Sequence, residues 1–115
     1  MNEAFWNALE TLMASSAVVI DRPAHSAHPR YPDRIYPLDY GYLAATSAMD
    51  GDGIDLWRGS DPAGRLDALV CTVDLTKRDT EIKLLVGCTE AEKQAVLTFH
   101  NRTDGMKGLL IRRDA

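Results

Sequence analysis

Three carboxylates fall within six residues near the middle of the chain, at Asp50, Asp52 and Asp55, and two of them stand beside glycine. Carboxylates held about 4 Å apart repel each other by ~4 kcal/mol at an effective dielectric constant of about 20, so a fold that gathers them needs a compensating cation. Ligands that are all oxygen suit a hard divalent ion, Mg²⁺ or Mn²⁺. The spacing alone leaves two interpretations open: a metal-binding loop, or an acidic turn exposed to solvent.

The residues before this acidic run add a second pattern. Residues 36–43 read Tyr-Pro-Leu-Asp-Tyr-Gly-Tyr-Leu, and after a short gap residues 50–56 read Asp-Gly-Asp-Gly-Ile-Asp-Leu. These blocks resemble the soluble inorganic pyrophosphatases of family I, whose signature is Asp-x-Asp-Pro-x-Asp followed by an aliphatic residue. Gly53 stands where that family has proline and Asp39 where it has asparagine. Neither change removes a carboxylate that would hold metal.

The resemblance extends upstream and is closest over residues 17–60. Residues 21–23 (Asp-Arg-Pro) are similar to the Glu-x-Pro that starts the family's active-site strand. Residues 30–31 (Arg-Tyr) fall where the family has a phosphate-binding Lys-Tyr. The resemblance implies hydrolysis of inorganic pyrophosphate to phosphate by a metal-activated water, with Mg²⁺ as cofactor and Mn²⁺ as a possible substitute.

The resemblance also implies a role for each matching acid. Asp50, Asp52 and Asp55 would be metal ligands, and Asp21 would contact a metal ion through water. Asp52 would also take a proton from the attacking water, which makes it a catalytic residue. The acidic run would therefore be the metal side of an active site.

The phosphate side is implied by residues on both sides of this run. Arg30 and Tyr40 would bind phosphate and serve catalysis, although Arg30 presents a fork where lysine is usual, so its contact geometry differs. Asp79, Glu81 and Lys83 match two acids and a lysine on the strand after the signature. In a strand they share one face, with the acids as metal ligands and Lys83 toward the substrate. The alternative is an exposed strand face with cross-strand ion pairs.

The second half also departs from the family. Residues 100–101 (His-Asn) stand where the family has a phosphate-binding Tyr-Lys pair, and Lys107 or Arg102 are candidates to replace it. The segment 31–36 is shorter than in the family and lacks an arginine that contacts phosphate, unless Arg34 supplies it. Two alternatives to pyrophosphate hydrolysis remain: hydrolysis of another phosphoanhydride or a phosphate ester such as a nucleotide, or a non-catalytic pyrophosphatase-like barrel that binds metal, phosphate or a protein partner.

Composition limits the class of partner. The chain has 115 residues, 45% of them hydrophobic and 26% charged, which is typical of a globular domain. A net charge of −4 argues against nucleic acid or an anionic membrane as the main partner. The resemblance implies a small phosphate-containing substrate instead. Cys71 and Cys88 stand in apolar surroundings, and no signal peptide or long apolar run is present, so we expect a reduced, cytoplasmic protein. The resemblance implies a homo-oligomer.

The remaining elements must position these residues. Apolar residues at helical spacing predict a helix near the N-terminus, and residues 89–92 (Thr-Glu-Ala-Glu) predict the capping box of a second helix. Four prolines in residues 22–38 predict an extended polar loop. Strands are predicted at 17–20, 42–45, 54–57, 66–75, 80–87 and 107–111. This order predicts a mainly-β α+β domain over residues 1–115, built as a small closed or partly open barrel. The resemblance implies an OB-like β-barrel with the N-terminal and C-terminal helices packed on it.

Overall fold

The computed structural model describes residues 2–48 and 51–114 and has the predicted order of elements. Helix α1 (Glu3–Ala14) comes first, and helix α2 (Glu90–Phe99) lies between the last two strands. The strands are β1 (Val18–Arg22), β2 (Asp39–Leu43), β3 (Ile54–Arg58), β4 (Leu66–Asp74), β5 (Asp79–Val86) and β6 (Met106–Arg112). The mainly-β α+β class is confirmed. Neither helix in the described part of the chain is long and apolar enough to cross a membrane.

All six strands belong to one sheet, in the order β1-β2-β3-β5-β4-β6. Strands β3 and β5 run parallel, and every other neighbouring pair is antiparallel. Strands β1 and β6 lie at the two edges, so the sheet of the described residues is open and the closed form of the expected barrel is not formed. Because β5 pairs with β3, strand β4 lies on the other side of β5, between β5 and the edge strand β6.

Helix α1 covers one face of this sheet with a narrow apolar stripe. Trp6 is buried and Leu9 and Met13 pack beside it, whereas Phe5 and Leu12 are exposed. A helix that lies on a sheet buries only one side, which is why the five apolar positions do not all point inward. The core beneath the helix consists of Leu43, Leu56, Leu66, Leu69, Leu84 and Val86.

Helix α2 packs on the opposite face. The capping box is confirmed, because the Thr89 hydroxyl accepts from the Glu92 backbone N–H and the Glu92 carboxylate accepts from the Thr89 backbone N–H. Val96 on this helix is fully buried. The core on this face contains Tyr36, Trp57, Ala68, Val70, Leu85, Cys88 and Val96.

The proline-rich segment between β1 and β2 is an extended loop with an ordered path. Its two halves are joined at the bridge Ala27↔Ile35. The His25 N–H donates to the Tyr36 carbonyl at 2.7 Å, and the Tyr36 N–H donates to the Ser26 carbonyl at 3.0 Å. Tyr36 is buried, so this residue fastens the loop to the core of the sheet.

Strands β1 and β2 differ from the predicted ranges, and the difference places two candidate site residues in strands. β1 continues to Arg22 and β2 begins at Asp39, because Arg22 pairs with Tyr40 across the two strands. The register shifts between Ile20 and Arg22, which leaves Asp21 at a bulge. A bulge re-aims a side chain and is common beside functional sites. β2 ends before Ala45, whose φ of 59° is in the left-handed region.

Gly41 permits the close approach of β1 and β2. A Cβ atom at this position would lie 1.8 Å from the carbonyl oxygen of Val19. We expect Gly41→Ala to push the two strands apart and lower the free energy of unfolding by ~1–3 kcal/mol, the cost of overpacking. Chemical denaturation measures this change.

The matched control is Gly105→Ala, whose Cβ would meet Thr76 Oγ1 at 3.5 Å, an ordinary contact. It should change the free energy of unfolding by less than ~0.5 kcal/mol. Equal effects of the two substitutions would contradict the role of Gly41.

Candidate functional site

A cleft of about 1070 Å³ lies between the proline-rich loop and the face of the sheet that carries α2. The loop supplies one wall, from His28 to Tyr36, and strands β2, β3 and β5 supply the floor. The hairpin between β4 and β5 closes one side, and residues 99–106, from the last residue of α2 to the first of β6, close another. We refer to this space as the cleft.

The alternation of side chains along the strands brings distant residues to the floor of the cleft. Asp55 lies on the same face of β3 as Trp57, and Lys83 lies on the same face of β5 as Glu81, because side chains two residues apart in a strand share a face. In the register of the sheet, Trp57 is the partner of Tyr40. Charged and aromatic residues from three strands therefore meet.

Lys83 is the centre of this arrangement. Its Nζ donates to Tyr40 Oη at 2.7 Å, to Glu81 Oε2 at 2.8 Å and to Asp55 Oδ2 at 2.9 Å, which uses all three N–H groups. The residue is only 5% exposed. Burial acts to lower the pKa of Lys83, but the contacts with Tyr40, Asp55 and Glu81 outweigh it and raise this pKa above its usual value. The ammonium group therefore stays charged. The alternative of an exposed strand face is wrong for Lys83, because this residue is buried.

Tyr40 is held as a neutral phenol. Burial raises the pKa of its hydroxyl above the usual value, although the nearby Lys83 ammonium opposes this shift. The ring packs edge-on against Trp57 with 4.6 Å between ring centroids, and the Lys83 ammonium lies 5.3 Å from the Tyr40 ring centroid. The hydroxyl accepts from Lys83 and also interacts with the Asp55 carboxylate, which raises its pKa further.

The end of β1, the loop wall and the segment after α2 carry the positive charge. Within the described residues, Arg22, Arg30, Arg34 and Arg102 line the cleft and form no ion pair with a carboxylate. Arg22 donates to the Tyr36 hydroxyl at 2.6 Å, and Arg102 donates to a backbone carbonyl of the loop at 3.3 Å. Guanidinium groups without carboxylate partners suit the oxygens of phosphate.

His28 organises this wall. Its Nδ1 accepts from the backbone N–H groups of Arg30 at 3.1 Å and Tyr31 at 3.3 Å. Burial lowers the pKa of His28, and the charges of Arg22, Arg34 and Arg30 lower it further, so the ring is neutral and able to accept. The histidine fixes the backbone from which Arg30 extends.

The pair at 100–101 has a structural role instead of a phosphate contact. The fully buried Trp57 donates its indole N–H to His100 Nε2 at 3.0 Å. Asn101 exchanges hydrogen bonds with the backbone of Gly108 and donates to the Leu97 carbonyl, which joins the end of α2 to β6. This pair secures the helix and the core beneath the cleft.

The structure brings most of the sequence-predicted site residues together. Those that line the cleft are Asp21, Arg30, Tyr40, Asp52, Asp55, Asp79, Glu81 and Lys83. Asp52 lies in an exposed bend, whereas Asp55 is half-buried in β3. Lys107 is exposed on β6 and is not among the lining residues, because Met106 takes the inward position of that strand. Asp50 lies outside the described residues.

Sequence reasoning gave little weight to three further residues of the cleft. Arg22 entered only as part of the Asp-Arg-Pro tripeptide, Tyr36 only as the first residue of the 36–43 block, and His28 only as a loop histidine expected to contact phosphate or solvent. The sequence signal that could have identified them is that all three fall within the proline-rich range 22–38. A loop so rich in proline cannot supply much core, so its basic and aromatic residues face a polar space.

A metal ion in the cleft would have to be held by the carboxylates of the floor. In the described part of the chain, no three His, Cys, Asp or Glu side chains converge closely enough to hold a metal ion. Asp55 and Glu81 converge instead on the Lys83 ammonium. The possible metal ligands are therefore carboxylate oxygens that already share the positive charge of Lys83. Ligands that are all oxygen suit a hard cation.

Comparison with known proteins identifies the fold. No family model matches the chain, and no curated protein matches it. Among solved structures it is similar to an inorganic pyrophosphatase from Neisseria gonorrhoeae, with a TM-score of 0.64 and 17% identity over 90% of this chain and 86% of that one. It is also similar to that of Helicobacter pylori (TM-score 0.56, 19% identity, 86% and 84% covered) and that of Coxiella burnetii (0.57, 17%, 85% and 86%). The chain has an inorganic pyrophosphatase-like fold.

The buried His100 predicts an acid-dependent loss of stability. Burial, with Lys83 and Arg34 nearby, lowers the pKa of His100 from 6.5 to about 3. Between these values the unfolded chain binds a proton that the folded protein does not, so the free energy of unfolding falls as the pH is lowered, by up to ~1.4 kcal/mol per pH unit. We expect His100→Gln, which keeps an acceptor for Trp57, to reduce this slope.

Urea denaturation of wild type and variant across pH 6.5 to 3 compares the two slopes. The comparison uses slopes because the substitution itself changes the stability at neutral pH. Parallel pH profiles of the two proteins would contradict a neutral, buried His100.

Proposed function

We propose that the protein hydrolyses inorganic pyrophosphate in the cleft, as a divergent relative of the family I pyrophosphatases. The observation that carries the proposal is the separation of charge in one cleft: carboxylates around Lys83 on the floor, and guanidinium groups without carboxylate partners on the loop wall. A metal complex of pyrophosphate presents both signs of charge. Each side of the cleft then has a counterpart in the ligand.

The proposal includes Mg²⁺, with Mn²⁺ as a substitute, as cofactor. The metal would be held by Asp52, Asp55 and Asp21, together with Asp50, and Asp79 and Glu81 would complete the oxygen ligands. When bound, the metal would neutralise phosphate oxygens and acidify a water molecule. Asp55 and Glu81 would exchange part of their contact with the Lys83 ammonium for contact with the ion.

The protein's own residues supply the rest of the proposed chemistry. Arg30 and Tyr40 bind phosphate oxygens, the first as a charged fork and the second as a neutral O–H donor. Asp52, exposed in the cleft, accepts a proton from the attacking water. Lys83 keeps Tyr40 and Asp55 in place and lies toward the substrate. Lys107, outside the cleft, has no part in this proposal.

The proposal extends to location and assembly. Cys71 and Cys88 are both free thiols, and burial raises the pKa of Cys88 to about 12, which suits unreactive thiols in a cytoplasmic protein. Strands β4, β5 and β6 expose apolar side chains on the face away from the cleft, namely Val73, Ile82, Leu109 and Ile111. A homo-oligomer would cover such a surface.

Metal binding should stabilise the protein. We expect Mg²⁺ to raise the melting temperature of wild type, because a ligand that binds only the folded state adds RT ln(1 + [L]/Kd) to its stability. Asp55→Asn should weaken this response, since it removes a charged ligand. Thermal melts at increasing Mg²⁺ measure both proteins, and an equal response would rule out Asp55 as a ligand.

Catalysis should depend on Asp52. We expect Asp52→Asn to lower the rate of pyrophosphate hydrolysis by at least ~10²-fold, the lower range for a positioned general base. The fold should survive because Asn is nearly isosteric and the position is exposed. Phosphate release at millimolar Mg²⁺ is the assay, with the circular dichroism spectrum as the control. Absence of phosphate release in wild type would favour a non-catalytic barrel that binds metal or phosphate.

A further inference from the structure

The loop wall carries aromatic ring faces against which a pyrophosphate ion has nothing to stack. Tyr31 lines the cleft and is 46% exposed. The Arg34 guanidinium lies over its ring at 4.8 Å from the centroid, and the His28 ring lies beside it at 5.1 Å. We call these three residues the stacking shelf. Pyrophosphate has no aromatic or apolar part, so it can use the Arg34 charge and the Tyr31 hydroxyl but not the faces of the rings.

The shelf is fixed in place. The His28 ring stacks on the buried Tyr36 with 8° between the ring planes and 6.0 Å between the centroids. His28 also accepts from the backbone N–H of Tyr31. The aromatic surface therefore runs from the core of the sheet to the rim of the cleft, and its outer end keeps an exposed ring.

We propose that the cleft also takes a pyrophosphate group esterified at one end by a nucleoside, that is, a nucleoside diphosphate, with the base stacked on Tyr31 and Arg34. Aromatic rings and guanidinium planes are the surfaces on which proteins stack nucleic-acid bases. Arg30 joins the shelf to the phosphate side, because its backbone is held by the same His28 that lies against Tyr31. The inference rests on the proposed function, since the two phosphoryl groups take the place proposed for pyrophosphate.

The size of the cleft agrees with this class of substrate. Clefts of about 300–1,000 Å³ enclose ligands of drug size, and this cleft measures about 1070 Å³. A pyrophosphate ion fills a small part of that volume. A nucleoside attached to one phosphoryl group would extend from the carboxylate floor along the arginine wall to the rim, where Tyr31 lies.

The reaction is the same hydrolysis with a different leaving group. The oxygen of a water molecule forms a bond to the terminal phosphorus, and the bond between that phosphorus and the bridging oxygen breaks. The bridging oxygen leaves with the nucleoside monophosphate, and the proton of the water passes to Asp52 and then to solvent. The products are a nucleoside monophosphate and phosphate, and no oxidant or other co-reactant is required.

The first experiment compares ADP with pyrophosphate as substrates at millimolar Mg²⁺. We expect wild type to release phosphate from both, and Tyr31→Ala to lower the ratio of kcat/KM for ADP to kcat/KM for pyrophosphate by about tenfold, within the range for loss of one base stack. Tyr31→Phe keeps the ring and should restore the ratio. A ratio unchanged in Tyr31→Ala, or wild type that hydrolyses pyrophosphate but not ADP, would overturn the nucleotide proposal and leave the proposed function standing.

A binding experiment decides the base subsite even if neither compound is hydrolysed. Calorimetric titration compares the methylene-bridged analogue of ADP with methylenediphosphonate, which has the same phosphonate groups and no nucleoside. We expect the nucleoside analogue to bind wild type about tenfold more tightly, and Tyr31→Ala to remove most of that difference. Equal affinities in wild type would overturn the stacking shelf as a nucleotide subsite. Tighter binding of the nucleoside analogue without hydrolysis would support the subsite and overturn the proposed hydrolysis.

Discussion

The buried ammonium of Lys83 is the interaction on which the cleft depends. A charged group away from water is tolerated only when it is paired and hydrogen-bonded, and Lys83 meets this condition by using all three N–H groups on Tyr40, Asp55 and Glu81. These partners come from three neighbouring strands, β2, β3 and β5. A slip of one residue in β2 or β3 would turn Tyr40 or Asp55 to the other face and remove one of the three hydrogen bonds of the ammonium group. The site and the register of the sheet therefore require each other.

The opposite wall has the reverse balance of charge. The end of β1, the loop and the segment after α2 place guanidinium groups at the cleft without carboxylates to pair them. A neutral His28 holds the loop backbone by accepting hydrogen bonds from two N–H groups. Repulsion among these arginines is tolerated because the cleft is open to water and because the Tyr36 hydroxyl accepts from Arg22. The wall therefore carries excess positive charge and the floor excess negative charge.

The aromatic core beneath the cleft packs the loop, the sheet and the end of α2 against one another. Trp57 contacts Tyr36, Tyr40, Phe99 and His100, so the loop, β2 and the end of α2 meet on one fully buried side chain. His100 accepts the indole N–H, which satisfies the only polar atom of that side chain. The residue pair that departs from the pyrophosphatase pattern has thus been used for packing, and Arg102, next to it, is the cation at that end of the cleft.

Local patterns in the sequence were sufficient to predict much of the fold and part of the candidate site. Prolines cannot join a central strand, Thr89 and Glu92 satisfy each other's N–H groups, and residues two apart in a strand share a face, so the loop, the second helix and the stripe of Asp79, Glu81 and Lys83 follow from short-range geometry. The convergence of Arg22, Arg34 and Arg102 on one cleft, the exclusion of Lys107 and the burial of Lys83 were decided only by the tertiary structure. Each depends on the order of the strands and on the register between strands that are far apart in the chain. No local periodicity determines the order or the register.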